Sequence, residues 1–302
     1  ILILYYGLMT LLTSMTIAAD AARQSLWAFA AGDFPGNLDW DQINSNAWGY
    51  IASIAVGFAI LDAWKGKDYR KQELFRKENP MNGRIFFCFL IFCMGAQMAN
   101  SLWVTLLELL LYPAGKSLMP VLESVAGSSD TFSMFLYIGF GAPIAEELLF
   151  RGLVLRSLQP MGKKIAIFMS AVMFGLYHAN AIQIPYAFLV GLVLGFVAIE
   201  YSIGWAMLLH MFNNLILADT LPRILPGLGG NLLTMAITYS CLLAAIIVLL
   251  VKIKSVIAYF KENRNEPGSL KAFVTAPGMI AFFVLIFVMT VFTTVLLIGP
   301  VA

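Results

Sequence analysis

The chain has 302 residues, of which 60% are hydrophobic and only 12% charged, a balance that a water-soluble globular domain of this length does not carry. The formal net charge is +2, and as a total it says little, because in a lipid-facing chain the placement of charge holds the information. These figures exclude a soluble enzyme and point to an all-α, polytopic transmembrane helix bundle.

Apolar runs long enough to cross a hydrocarbon core of ~30 Å recur over residues 1–19, 47–64, 85–112, 131–157, 164–182, 184–201, 203–219, 231–251 and 272–298. This predicts eight to nine spans. The sequence opens at Ile1 without an initiator Met and is already apolar, which leaves room for upstream sequence. Residues 1–19 lack a basic leader and a small-residue cleavage site, so they read as a spanning helix rather than a signal peptide. The 20–46 stretch sets Asp20, Asp33, Asp39 and Asp41 beside Trp27, Phe34 and Trp40, as expected of a surface segment anchored by aromatics at the headgroup level. The basic 65–84 stretch, with Asp68, Glu73 and Glu78 interleaved, reads as a topology-setting loop facing lipid headgroups rather than nucleic acid.

Fifteen of the nineteen Lys and Arg residues fall in 65–84, 156–164 and 252–271. With nine spans these stretches share one side, which the positive-inside rule makes cytoplasmic. Arg23, Lys116 and Arg223 are left outside, and Arg151 within the membrane. Cys88, Cys93 and Cys241 lie in apolar runs and read as small core residues.

The fourth span carries Glu146, Glu147 and Arg151. An ionised group at the bilayer centre costs at least ~2.5–3.5 kcal/mol unless it is paired or wetted. Glu147 and Arg151, four apart, share a helix face and form an expected ion pair; Glu146 points about 100° away and stays available. Gly139, Gly141 and Pro143 weaken the helix just upstream, and irregular backbone at membrane depth is tolerated where it lines a cavity or is buried in protein.

Both histidines of the chain, His178 and His210, also fall in apolar spans. Phe174 pairs with His178 and His210 with Asn214 at helical i,i+4 spacing. A carboxylate, two imidazoles and an amide supply a general base, a proton shuttle and donors for an oxyanion. Two imidazoles and a carboxylate can also bind zinc, and two imidazoles can ligate a haem. Spacing gives the zinc site no support, since no His-Glu-x-x-His motif is present. A transporter is disfavoured because intramembrane charge sits in one cluster without repeated halves. On the sixth span, Gly191 and Gly195 predict close helix packing.

Glu-Glu-Leu-Leu-Phe-Arg at 146–151, Phe-Gly-Leu-Tyr-His at 174–178 and His-Met-Phe-Asn-Asn at 210–214 follow Glu-Glu-x-x-x-Arg, Phe-x-x-x-His and His-x-x-x-Asn in that order. The ordered set resembles the CAAX-protease and bacteriocin-processing family, also called the ABI family of intramembrane endopeptidases. The resemblance implies a catalytic core over 131–220, between N-terminal helices at 1–130 and C-terminal helices at 221–302. It implies a metal-independent glutamate peptidase without cofactor. In that reading Glu146 is the catalytic carboxylate, His178 its partner in activating water, His210 and Asn214 the oxyanion donors, and Glu147 and Arg151 structural support. The implied partners are a membrane-associated peptide or protein substrate, the lipid bilayer and a partner membrane protein, with no nucleic acid. The alternative is a non-proteolytic binding or immunity protein with the same pocket. The expected location is the bacterial plasma membrane.

The orientation is open to direct test. A membrane-impermeant thiol reagent applied to intact cells should leave a single cysteine introduced near Lys71 unlabelled; labelling there would invert the topology.

Overall fold

The computed structural model describes residues 2–32, 38–39, 42–43, 45–69, 74–125, 131–216 and 227–300. Asp33, Phe34, Trp40 and Asp41 of the expected surface segment, Arg70, Lys71 and Glu73 of the basic loop, and Arg223 lie outside the described residues.

In chain order the helices are α1 (Leu2–Ala30), α2 (Trp48–Asp68), α3 (Gly83–Leu111), α4 (Met119–Val125), α5 (Phe132–Leu136), α6 (Ala142–Glu147), α7 (Arg156–Leu158), α8 (Lys163–Tyr177), α9 (Gln183–Glu200), α10 (Ile203–Asn214), α11 (Gly227–Val251), α12 (Ile253–Glu262), α13 (Ser269–Thr275) and α14 (Pro277–Leu297). Wider π turns occupy Tyr137–Gly141 and Leu148–Leu155. Two-residue strands β1 (Lys116–Ser117) and β2 (Gly299–Pro300) pair antiparallel.

The all-α expectation holds, but the regular spans are fewer than the apolar runs. Four helices among the described residues are long and apolar enough to cross a membrane: Gly83–Ala114, Gln183–Glu200, Leu232–Val251 and Pro277–Val295. The other runs differ for physical reasons. The fourth is cut into α and π pieces and carries Glu146, Glu147 and Arg151. The fifth stops at Tyr177, and the end of the seventh lies outside the described residues. The first run continues as helix to Ala30, so Asp20 and Trp27 sit on a helix rather than in a loop.

The chain divides into two units, Ile1–Glu73 with Ser128–Ala145, and Leu74–Gly127 with Glu146–Ala302. In the first, α1 packs on α2 at Gly49, where a Cβ would come within 2.8 Å of Thr13 Cα. Thr131 caps α5 by accepting from Met134 N at 3.2 Å, while its hydroxyl donates to Ser45 O at 2.6 Å. Tyr50 and Tyr137 stack with centroids 4.7 Å apart. Pro143 has no N–H to give, and the upstream ladder widens so that Ala142 N donates to Tyr137 O.

In the second unit, α3 lays Phe86, Leu90, Cys93 and Ala96 against Val190, Leu194 and Val197 of α9 and Ala206 and Leu209 of α10. That i, i+4, i+7 stripe is why the run folds as one long helix with an inward face. Ser202 caps α10 by accepting from Trp205 N at 3.3 Å. The packing of α8 on α9 depends on small residues: a Cβ at Gly191 would meet Ala171 Cα at 3.0 Å and Phe174 Cδ1 at 3.2 Å. At the opposite end of α9, Glu200 Oε1 accepts from Lys163 Nζ at 2.8 Å and Tyr259 Oη at 2.9 Å. Burial, reinforced by the Glu200 carboxylate, holds the Tyr259 phenol above its ordinary range.

The two α9 glycines should respond differently to a methyl group. Gly191→Ala forces the new Cβ onto a backbone atom, so stability should fall by roughly 1–3 kcal/mol. At Gly195 the contacts are looser, Ile167 Cγ2 at 3.3 Å, Leu155 Cδ1 at 3.5 Å and Ile167 Cα at 3.6 Å, so Gly195→Ala should lower the Tm less than Gly191→Ala. Equal losses in thermal unfolding would contradict the close α8–α9 approach at Gly191.

Candidate active site

The site begins with an ion pair that is fully removed from solvent. Arg151 Nη1 donates to Glu147 Oε1 at 2.8 Å, and both side chains are 0% exposed. The i,i+4 pairing read from the sequence therefore survives although Arg151 lies in a π stretch. Arg151 Nη2 donates to the Gly191 carbonyl at 3.1 Å, which the small residue at 191 makes reachable. The guanidinium also lies 4.5 Å from the centroid of the Phe174 ring, a cation–π contact strengthened by the absence of water. The π stretch places the Phe150 carbonyl where the buried Ser170 hydroxyl donates to it at 2.9 Å. Among the described residues, Glu147 Oε2 and Arg151 Nε meet no hydrogen-bond partner.

Glu147 holds the His210 ring as well as the Arg151 guanidinium. His210 Nδ1 lies 3.0 Å from the same Oε1, and against a carboxylate oxygen that nitrogen must be the donor. His210 Nε2 then faces Glu146, 3.7 Å from Oε2. The adjacent carboxylates thus differ in environment: Glu147 is 0% exposed and doubly engaged, whereas the Glu146 side chain is 19% exposed.

His178 caps the C-terminus of α8, and its Nδ1 lies 2.9 Å from the Phe174 carbonyl. Nδ1 therefore carries the proton, which leaves Nε2 as the acceptor in the neutral ring. The chain turns sharply after it, with Ala179 at φ 51°, a conformation uncommon for a residue with a Cβ. Residues from α3 and α14 clamp this turn. Trp103 Nε1 donates to Ala181 O at 3.0 Å, Ala181 N donates to Thr294 Oγ1 at 3.3 Å, and Thr293 Oγ1 donates to Ala179 O at 2.5 Å. Within the turn, Asn180 Nδ2 donates to His178 O at 2.9 Å.

Phe174 joins the two halves of the site. Its ring meets His178 edge to face at 5.2 Å between centroids and His210 at 5.7 Å. The structure thus brings Glu146, Glu147, Arg151 and His210 into direct contact and ties His178 to them through Phe174. Asn214 ends α10, one turn beyond His210, and its Oδ1 accepts from Asn213 Nδ2 at 3.4 Å.

Sequence reasoning passed over Asn213, which is 2% exposed and donates through Nδ2 to Tyr186 Oη at 2.8 Å. A second amide beside Asn214 and a phenol on an otherwise apolar α9 were the signals available. The His210–Glu147 bond had none, because it joins residues on different helices. As for a metal, no group of three or more His, Cys, Asp or Glu placed to hold an ion occurs among the described residues.

Residues 128–216 match the family model described as type II CAAX prenyl endopeptidase Rce1-like. No curated protein and no solved structure matches the chain. The matched segment contains all three motifs and every residue of the cluster just described. Over residues 128–216 this integral membrane protein is similar to the type II CAAX prenyl endopeptidase Rce1-like family.

Proposed function

We propose that the protein is an intramembrane endopeptidase that hydrolyses a peptide bond of a membrane-associated protein or peptide with water activated by Glu146. The observation that carries this reading is the asymmetry of the carboxylate pair: Glu147 is sealed between Arg151 and His210, while Glu146 retains partial exposure and lies 3.7 Å from the His210 ring. The family match over 128–216 supports an activity of the CAAX-protease type. A prenylated CAAX tail is therefore the first substrate to try.

In this mechanism Glu146 takes a proton from water as the water oxygen adds to the scissile carbonyl carbon. The carbonyl oxygen becomes an oxyanion. The carbon–nitrogen bond then breaks, and the proton held by Glu146 passes to the departing amine. His178 assists through Nε2, the nitrogen its bond to Phe174 O leaves as acceptor. Asn214 serves the oxyanion through its amide N–H. His210 Nδ1–H is committed to Glu147, so an Nε2–H donor for the oxyanion exists when the ring carries two protons. Glu147 and Arg151 hold that ring in place. The reaction is written without a metal.

The assay is cleavage of a quenched fluorescent peptide with a prenylated CAAX terminus by protein in bilayer discs, alongside proteomics of membranes bearing the wild type or Glu146→Ala. Glu146→Gln should abolish cleavage while thermal stability and peptide binding persist. Asn214→Ala should lower kcat about 10²–10³-fold with little change in affinity. A precursor should accumulate in Glu146→Ala membranes. Biological activity fully retained by Glu146→Gln would make the protein a binder. Cleavage lost to a chelator and restored by zinc would replace the glutamate mechanism with a metal one.

Glu147→Gln should act on folding instead, because it leaves Arg151 facing a neutral amide. Removing one partner of a buried pair typically costs about 3–5 kcal/mol, so this variant should express poorly or unfold earlier than Glu146→Gln. Equal stability of the two would contradict the structural assignment of Glu147.

A further inference from the structure

The connector between the two long apolar helices Leu232–Val251 and Pro277–Val295 carries α12. Residues follow one another by about 100° around a helix, so Ile253, Ile257 and Phe260 fall within one narrow arc of α12. All three are exposed, at 46%, 47% and 55%. Tyr259 and Val256 define the neighbouring arc, and that edge is docked: Tyr259 Oη donates to Glu200 Oε1 at 2.9 Å and its ring meets Phe196 at 5.4 Å. Lys164 fastens the same helix, donating to Phe260 O at 2.8 Å. The apolar arc is therefore held outward by specific bonds.

Cations border that arc on the undocked side. Lys254 and Lys261 fall beside Ile257 on the helix, Lys252 and Arg264 flank α12 and Lys271 lies in α13; Glu262 and Glu266 are the acidic residues of the connector. In α13, Leu270 and Val274 are likewise exposed, at 53% and 40%, while Phe273 is buried at 5%. Apolar side chains bounded by long basic ones suit a helix lying in the plane of the bilayer surface. The aliphatic groups enter the acyl boundary and the ammonium groups reach the phosphates.

We propose that α12, with the flanking Lys252 and Arg264, is a docking surface for anionic phospholipid headgroups, fixed to the protein through the Tyr259–Glu200 bond. The partner is a membrane surface of negative charge, since the exposed cations outnumber the carboxylates beside them and an apolar face has no use for a soluble anion. This inference is independent of the peptidase reading.

Hydrogen exchange by mass spectrometry on the full chain tests it. Protein is reconstituted in discs of phosphatidylcholine alone and in discs containing phosphatidylglycerol. Amides of 253–264 should exchange about fivefold more slowly or better in the anionic discs, the equivalent of one Lys–headgroup contact at ~1 kcal/mol. The gain should shrink in high salt, and amides of α14 should not change. The triple variant Lys252→Gln, Lys254→Gln, Lys261→Gln should exchange alike in both disc types. Equal protection of the wild type in both compositions would overturn the proposal. So would inorganic phosphate reproducing the protection in phosphatidylcholine discs, which would assign the cations to a soluble anion.

Discussion

Burying an arginine and a carboxylate together at membrane depth is the constraint around which the segment that carries the three motifs is arranged. Neither charge can persist alone there, and the attraction between the two offsets desolvation only when further hydrogen bonds satisfy both ends. The surrounding sequence supplies part of those bonds, leaving Glu147 Oε2 and Arg151 Nε without a partner among the described residues. Glu147 Oε1 receives Arg151 and His210 together, Gly191 offers its carbonyl to the second guanidinium nitrogen, and Phe174 lies against the guanidinium. Two further requirements follow from this arrangement. Position 191 must be small enough for α8 and α9 to approach, and the π stretch must deliver Arg151 to α9.

The same ion pair sets the neighbouring glutamate apart by environment. Adjacent carboxylates on one helix point in different directions, and here one points into a sealed polar knot while the other meets a partly open space beside an imidazole. Separating two like groups by environment is a general route to dividing structural from reactive roles. Support also comes from outside the matched segment: Trp103 on α3 and Thr293 and Thr294 on α14 hold the turn behind His178. Helices without a motif of their own thereby contribute to the placement of one that has one.

How much of this the sequence disclosed can be traced residue by residue. Glu147 and Arg151 were legible as a pair because helical spacing alone joins them, and the close approach at Gly191 was legible from a small-xxx-small pattern. The His210–Glu147 bond and the Tyr186–Asn213 bond depend on tertiary placement, which no local spacing encodes. The π turns were half visible. Gly139, Gly141 and Pro143 marked a weakened helix, but the second π stretch, Leu148–Leu155, has a composition like any buried α-helix. Hydropathy read nine spans where four described helices meet the length and composition of a regular crossing. Charged residues, short helices and π turns are what the buried polar cluster adds to an apolar run.

The central claim is that Glu147 links Arg151 to His210 and so orders the ring beside Glu146. With two histidines in the chain, ¹⁵N-imidazole NMR of histidine-labelled protein in detergent reads this link directly. His210→Gln and His178→Gln spectra assign the signals. The wild-type His210 Nδ1 should show the shift of a protonated nitrogen bonded to a carboxylate, and Glu147→Asp, with its shorter reach, should move that signal while leaving His178 in place. A His210 resonance unchanged by Glu147→Asp, or one showing an unprotonated Nδ1, would contradict the account.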